Sequence, residues 1–159
     1  MAIVVGAGNF VRGQALQKSG ISVLPRTLDH IGMLATNMNA LALRDAMVKK
    51  GLMVHACSAL PVSGIIEAYD VNRVDACLNA GEVVILAGGT GNPFVTTDSA
   101  ASLRAVELQA DELLKATTID GVYDKDPKQH NDAKRYKQLS YEAALHDQLG
   151  VMDLGAFVQ

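Results

Sequence analysis

The sequence has no excess of positive charge, no long apolar run and almost no cysteine. Lys and Arg number 14 against 17 Asp and Glu, a formal net charge of −3. That balance creates no global field to attract nucleic acid, so an anion would have to be held by loops and single cations. No run approaches the ~18 consecutive apolar residues of a membrane span, and no stretch reads as a signal peptide. Cys57 and Cys77 are the only two cysteines, and both lie among apolar residues. They read as buried, reduced thiols of a cytoplasmic protein rather than as a disulfide. Low-complexity tracts and internal repeats are also absent. What is present is 159 residues, 49% hydrophobic and 19% charged. This composition fits one soluble globular α/β domain with a sizeable core.

The chain is organised around Gly88-Gly89-Thr90-Gly91-Asn92-Pro93-Phe94-Val95-Thr96-Thr97-Asp98. Before it, Val83-Val84-Ile85-Leu86-Ala87 is continuously apolar and β-branched, the pattern of a strand buried on both faces of a parallel sheet. After it, residues 99–108 read as a helix, with Thr97 or Asp98 as N-cap. Glycines let backbone amides approach an anion, and a helix start adds partial positive charge. The loop therefore reads as a phosphate site. An ordinary βα turn with a capped helix is the structural alternative.

The same unit occurs at the start of the chain. Ala2-Ile3-Val4-Val5 reads as a strand, followed by Gly6-Ala7-Gly8-Asn9 and then Arg12. A guanidinium there can grip a phosphate with two hydrogen bonds; the alternative is a solvated surface arginine. Residues 14–28 read as a loop broken by Gly20 and Pro25. A helix is expected from Asp29 to about Lys50, with Gly51 as its terminator. Its methionines fit core packing or a subunit interface. Leu52–Cys57 is the next strand, and Asp70 caps a helix running to about Ala80. This βαβαβ order predicts a mostly parallel central sheet with helices on both faces, a three-layer sandwich. Ligands then sit beyond the carboxyl ends of the strands, where both glycine loops emerge. Further on, Leu113–Thr117 reads as a strand carrying Lys115. Asp120 to Pro127 reads as a turn-rich loop, and Ser140 as the cap of a short helix.

Thr90-Gly91-Asn92-Pro93-Phe94, followed by Thr96-Thr97-Asp98-Ser99-Ala100-Ala101, resembles the signature of the bacterial uridylate (UMP) kinases of the amino-acid kinase family. So do Gly6-Ala7-Gly8-Asn9 with Arg12-Gly13, Asp29 to Thr36, Lys115-Ala116-Thr117 with Asp120 to Pro127, and Val151-Met152-Asp153. The resemblance runs the length of the chain. It implies transfer of the ATP γ-phosphate to UMP, giving UDP. It assigns UMP to Ala7, Arg12, Asp29, Thr90, Gly91, Asn92, Pro93, Phe94, Thr96 and Thr97. It assigns ATP to Gly8, Arg12, Thr117, Tyr123 and Asp126. Asp98, Asp153 and Lys115 are the implied catalytic residues. Asp153 is suited to organising lysines or Mg²⁺ around the phosphates; no residue is assigned as a metal ligand. A homohexamer and GTP or UTP as effectors are also implied, with no nucleic-acid or membrane partner. One departure stands out, since Ala7 replaces the middle glycine of the family's first loop and would be strained at positive φ. The family's amino-terminal Lys-x-Ser-Gly-Glu loop and carboxyl-terminal strands have no counterpart here. Those absences lead us to expect a single amino-acid kinase-like domain over 1–159 without those segments. Two rivals follow: a catalytically incomplete nucleotide-binding or oligomerising fragment, or a family member phosphorylating a carboxylate or carbamate.

Overall fold

A computed structural model describes residues 1–10, 22–147 and 149–159. Four strands form one parallel sheet: β1 (Ala2–Val4), β2 (Val54–Ser58), β3 (Glu67–Ala68) and β4 (Val83–Ala87). Their order across the sheet is β1-β4-β2-β3. β4 is thus central, with Ile3 opposite Ile85 on one side and Ala56 opposite Ile85 on the other. Its residues Val84 to Ala87 are all buried, as a continuous apolar run requires.

Five helices are described: α1 (Pro25–Val48), α2 (Val71–Asn79), α3 (Thr97–Glu107), α4 (Tyr141–His146) and α5 (Leu154–Val158). α1 packs on the sheet face that carries Ala56, Ile85 and Ala87, and Ala40 is its buried centre there. Strand alternation sends Val84, Leu86 and Cys57 to the opposite face. Those three are buried as well, and α2, with its buried Val74, packs against β4. The chain crosses the sheet one way through α1 and returns through α2. Right-handed crossovers therefore put the two helices on opposite faces, and the three expected layers follow.

Local chemistry sets the boundaries. Asp70 caps α2 by accepting the Arg73 N–H at 3.0 Å, as expected. α1 begins at Pro25, four residues before the expected start. Proline breaks a helix interior but fits its first turn, where its missing N–H would have had no partner. Asp29 therefore lies inside the helix and is not its cap. α3 also starts earlier than its expected cap. Thr96, not Thr97 or Asp98, accepts the Ser99 N–H on its hydroxyl at 3.1 Å and the Ala100 N–H on its carbonyl at 3.0 Å.

The chain divides into two compact units, Met1–Ala101 and Ser102–Gln159. The second contains the one expected strand that does not form. Leu113–Thr117 is irregular, and Leu114 is 83% exposed. A short apolar run is a weak strand signal, and no described residue of this unit offers it a ladder.

Candidate functional site

The first unit holds a cleft of about 340 Å³ at the carboxyl ends of β1 and β4. Its walls come from three places: Ala7 and Gly8 after β1, Asp29 to Thr36 on α1, and Gly89 with Val95 to Thr97 after β4. Five of the residues assigned to nucleotide from the sequence (Ala7, Gly8, Asp29, Thr96 and Thr97) therefore line one cleft. Thr90, Gly91, Asn92, Pro93 and Phe94 form the arm of loop between Gly89 and Val95.

That arm needs its glycines. Gly88, Gly89 and Gly91 have φ of 76°, 57° and 81°, values that disfavour any side chain. At Gly88 a Cβ would also lie 2.5 Å from Ser58 Oγ and 2.7 Å from the Leu60 amide nitrogen. The first glycine loop differs. Gly6, Ala7 and Gly8 all lie outside the positive-φ region, and a Cβ on either glycine meets nothing within 4 Å. Alanine at position 7 is consequently unstrained.

α1 fastens these loops with polar residues in its middle. Thr36, 4% exposed, accepts the Gly88 N–H on its hydroxyl at 2.6 Å and donates to the Met33 carbonyl at 2.6 Å. Asn37 donates to the Leu60 carbonyl at 3.0 Å and accepts from the buried Ser58 hydroxyl at 2.7 Å. Asn39 donates to the Gly6 carbonyl at 2.6 Å and pairs reciprocally with the Asn9 amide. Sequence reasoning missed all three. The available signal was three polar side chains, Thr36, Asn37 and Asn39, within an otherwise apolar helical pattern; Thr36 and Asn37 are buried and need partners there.

Asp29 points its carboxylate at the far end of the arm, accepting the Phe94 N–H at 2.8 Å. Phe94 has φ of 67° and is 75% exposed. A bulky residue in this conformation is an outlier that surrounding structure must hold, and Asp29 supplies part of that hold. Asp98 sits in the first turn of α3, where a carboxylate complements the helix dipole.

In the second unit the assigned residues hold local structure. Lys115 donates to the Val151 carbonyl at 2.7 Å. Asp153 caps α5 by accepting the Ala156 N–H at 2.9 Å. Thr117 Oγ1 lies 3.4 Å from the Ile119 amide nitrogen. Asp126 folds its turn through the Lys128 N–H at 2.9 Å and the Gln129 side chain at 3.0 Å. The Tyr123 hydroxyl donates to Asp120 at 2.7 Å, and Arg135 binds the other carboxylate oxygen at 3.0 Å. The Tyr123 hydrogen bond, and then the Arg135 charge, hold the Asp120 pKa below the usual aspartate value. The same hydrogen bond raises the Tyr123 pKa. Arg12, assigned to both nucleotides, lies outside the described residues.

No three His, Cys, Asp or Glu side chains come together as metal ligands among the described residues. No described helix is long and apolar enough to cross a membrane.

A parallel sheet between helices, with glycine loops opening on one cleft at the strand ends, places the chain among α/β proteins, and it belongs to the amino acid kinase family, whose model matches residues 1–157. Its similarity to particular members is closer. It is 55% identical over 159 residues to a uridylate kinase of Coxiella burnetii, covering 100% of this chain and 65% of that protein. It is 51% identical over 156 residues to one of Chromohalobacter salexigens, covering 98% and 61%. The chain thus spans a little under two thirds of the length of these relatives. Among solved structures, UMP kinase from Bacillus anthracis superposes with a TM-score of 0.91 at 36% identity, covering 99% of this chain and 64% of that one. UMP kinase from Ureaplasma parvum gives 0.90 at 33% identity, covering 99% and 66%.

Proposed function

We propose that this chain carries the nucleotide-handling machinery of a UMP kinase, which moves the γ-phosphoryl group of ATP to UMP and releases ADP and UDP. The observation that carries the reading is the cleft in which Asp29, the first glycine loop and the Gly88–Thr97 arm converge on one helix start. The names of its similar relatives support the same substrate. A phosphate oxygen of UMP attacks the γ-phosphorus, and the bond to the bridging oxygen of ADP breaks. The acceptor is already an anion, so no general base is needed. The work is placement and charge neutralisation.

In this reading UMP lies against Ala7, Arg12, Asp29 and the Thr90–Thr97 arm. ATP uses Gly8, Arg12, Thr117, Tyr123 and Asp126, while Asp98, Asp153 and Lys115 tune the field around the phosphates. Mg²⁺ would come as the counterion of ATP and supply charge neutralisation at the phosphates, a part of the proposal that rests on the family resemblance. A cytoplasmic setting, a hexameric assembly and a response to GTP or UTP belong to the same proposal and rest on the family resemblance. An ADP-release assay of the full chain with UMP, CMP, AMP and N-acetylglutamate tests it. UMP should be the preferred acceptor, and preference for the carboxylate would sink the assignment.

A further inference from the structure

The geometry points to one helical turn of α1, Thr36 to Asn39, as a yoke that sets the spacing between the two glycine loops, with Thr36 and Asn39 as positioning residues. This rests on the reading of the cleft as a nucleotide site. Residues three apart on a helix are neighbours on one face. Thr36 takes the root of the Gly88–Thr97 arm through the Gly88 N–H, at 2.6 Å. Asn39 takes the root of the Gly6–Asn9 loop through the Gly6 carbonyl, also at 2.6 Å. One rigid turn therefore grips both arms of the cleft.

The grip leaves little play. A threonine hydroxyl has one proton, and that of Thr36 goes to the Met33 carbonyl at 2.6 Å. Its oxygen is thereby oriented to receive Gly88. Although Thr36 reaches the cleft wall, its only donor is already engaged, which fits a residue that holds the loop rather than the ligand. From the other side, Gly88 is backed by Ser58 and by the amides of Ala59 and Leu60, which any Cβ would strike at 2.5–2.8 Å. Asn37, between the two yoke residues, fixes that backing through Ser58 and Leu60. Phosphoryl transfer tolerates about 0.5 Å of error in such placement, and a misplacement of about 1 Å can cost about 10²-fold in rate.

The test compares Thr36→Val, Thr36→Ser, Asn39→Ala and Ala40→Gly in the full chain. Ala40 is the wholly buried core residue next to the yoke and controls for lost stability. Turnover is measured at a temperature where every variant is folded. Thr36→Val should lower kcat with UMP about 10²-fold, Thr36→Ser should restore it, and Ala40→Gly should lower the melting temperature with kcat unchanged. Amide exchange and chemical shifts provide an arm independent of activity. In Thr36→Val the Gly88 amide should exchange about tenfold faster or more, as loss of a buried hydrogen bond implies. Thr36→Val should also shift the Gly8 and Asn9 resonances, and Asn39→Ala those of Gly88 and Gly89. Unchanged Gly88 exchange, loops that respond independently, or a kcat loss matched by Ala40→Gly would each overturn the yoke. If the unmodified chain turns over no UMP and binds neither UMP nor ATP, the kinase reading fails by itself, and the exchange arm still decides whether the turn couples the loops.

Discussion

The two compact units are held together by different means. Met1–Ala101 contains the four-stranded sheet and buried aliphatic side chains on both of its faces. In Ser102–Gln159 the buried hydrophobic residues among those described are Ala144 and Ala156. That unit relies on caps at Ser140 and Asp153, on the Lys125–Asp132 and Arg135–Asp120 ion pairs, and on an edge-to-face contact of Tyr141 with Phe157 at 6.4 Å. Exposed ion pairs contribute little stability, whereas buried apolar area contributes a great deal. A rigid frame thus carries the described residues of the proposed acceptor site, while Thr117, Tyr123 and Asp126, proposed for ATP, sit on loops that can open at low cost.

The contrast is easiest to break at its strongest point. Ile85→Ala, at the centre of β4, should destabilise the first unit by about 2–5 kcal/mol, read as a lower urea midpoint. A midpoint shift below about 1 kcal/mol would show that packing is not what holds the first unit. The caps give a matched pair of intermediate size. Asp70→Ala removes a first-turn acceptor in the first unit and should cost about 1 kcal/mol in the main transition. Ser140→Ala removes the equivalent acceptor of the Ala143 N–H in the second. It should speed amide exchange over residues 141–147 while moving the main transition by less than about 0.5 kcal/mol. Equal effects on the main transition would mean that the two units unfold as one.

The smallest effect is electrostatic. Asp120 has its pKa lowered in the fold, so its contribution is present above the unfolded value and fades as pH falls through the lowered one. Tyr123 is raised, so its contribution is present below the ordinary tyrosine value and lost as pH rises through the raised one. Tyr123→Phe should move the Asp120 titration, followed by NMR, back up toward the ordinary aspartate value. An unmoved titration would assign the shift to Arg135 instead.

Much of the first unit was legible because its signals are repetitive. Alternation of apolar strands with amphipathic helices led directly to the parallel sheet, and glycines after β1 and β4 marked the cleft. What escaped depends on partners far away in sequence. β3 is two residues long and exists only through its pairing with β2. Pro25 was misread because the same residue breaks a helix interior and suits a helix start. The cap lies at Thr96, one or two residues before the expected Thr97 or Asp98, since three adjacent side chains can all accept a first-turn N–H. Leu113–Thr117 has strand composition without a ladder to join. The yoke was hidden most deeply. Nothing local distinguishes a buried threonine bonded to a glycine 52 positions away from one bonded only to its own helix.

The strand order carries a consequence for how the protein is made. β4 lies between β1 and β2, and Ala2 pairs with Val84. β1 and β2 have no ladder with each other; each pairs instead with β4. During synthesis β1, and the edge of β2 that faces away from β3, must therefore wait unpaired until residues 83–87 have left the ribosome. Such long-range closure is slow, and waiting edges invite association with other chains. A nascent chain stalled before Val83 should be the form that chaperones hold, and release of β4 should be the moment at which it escapes them.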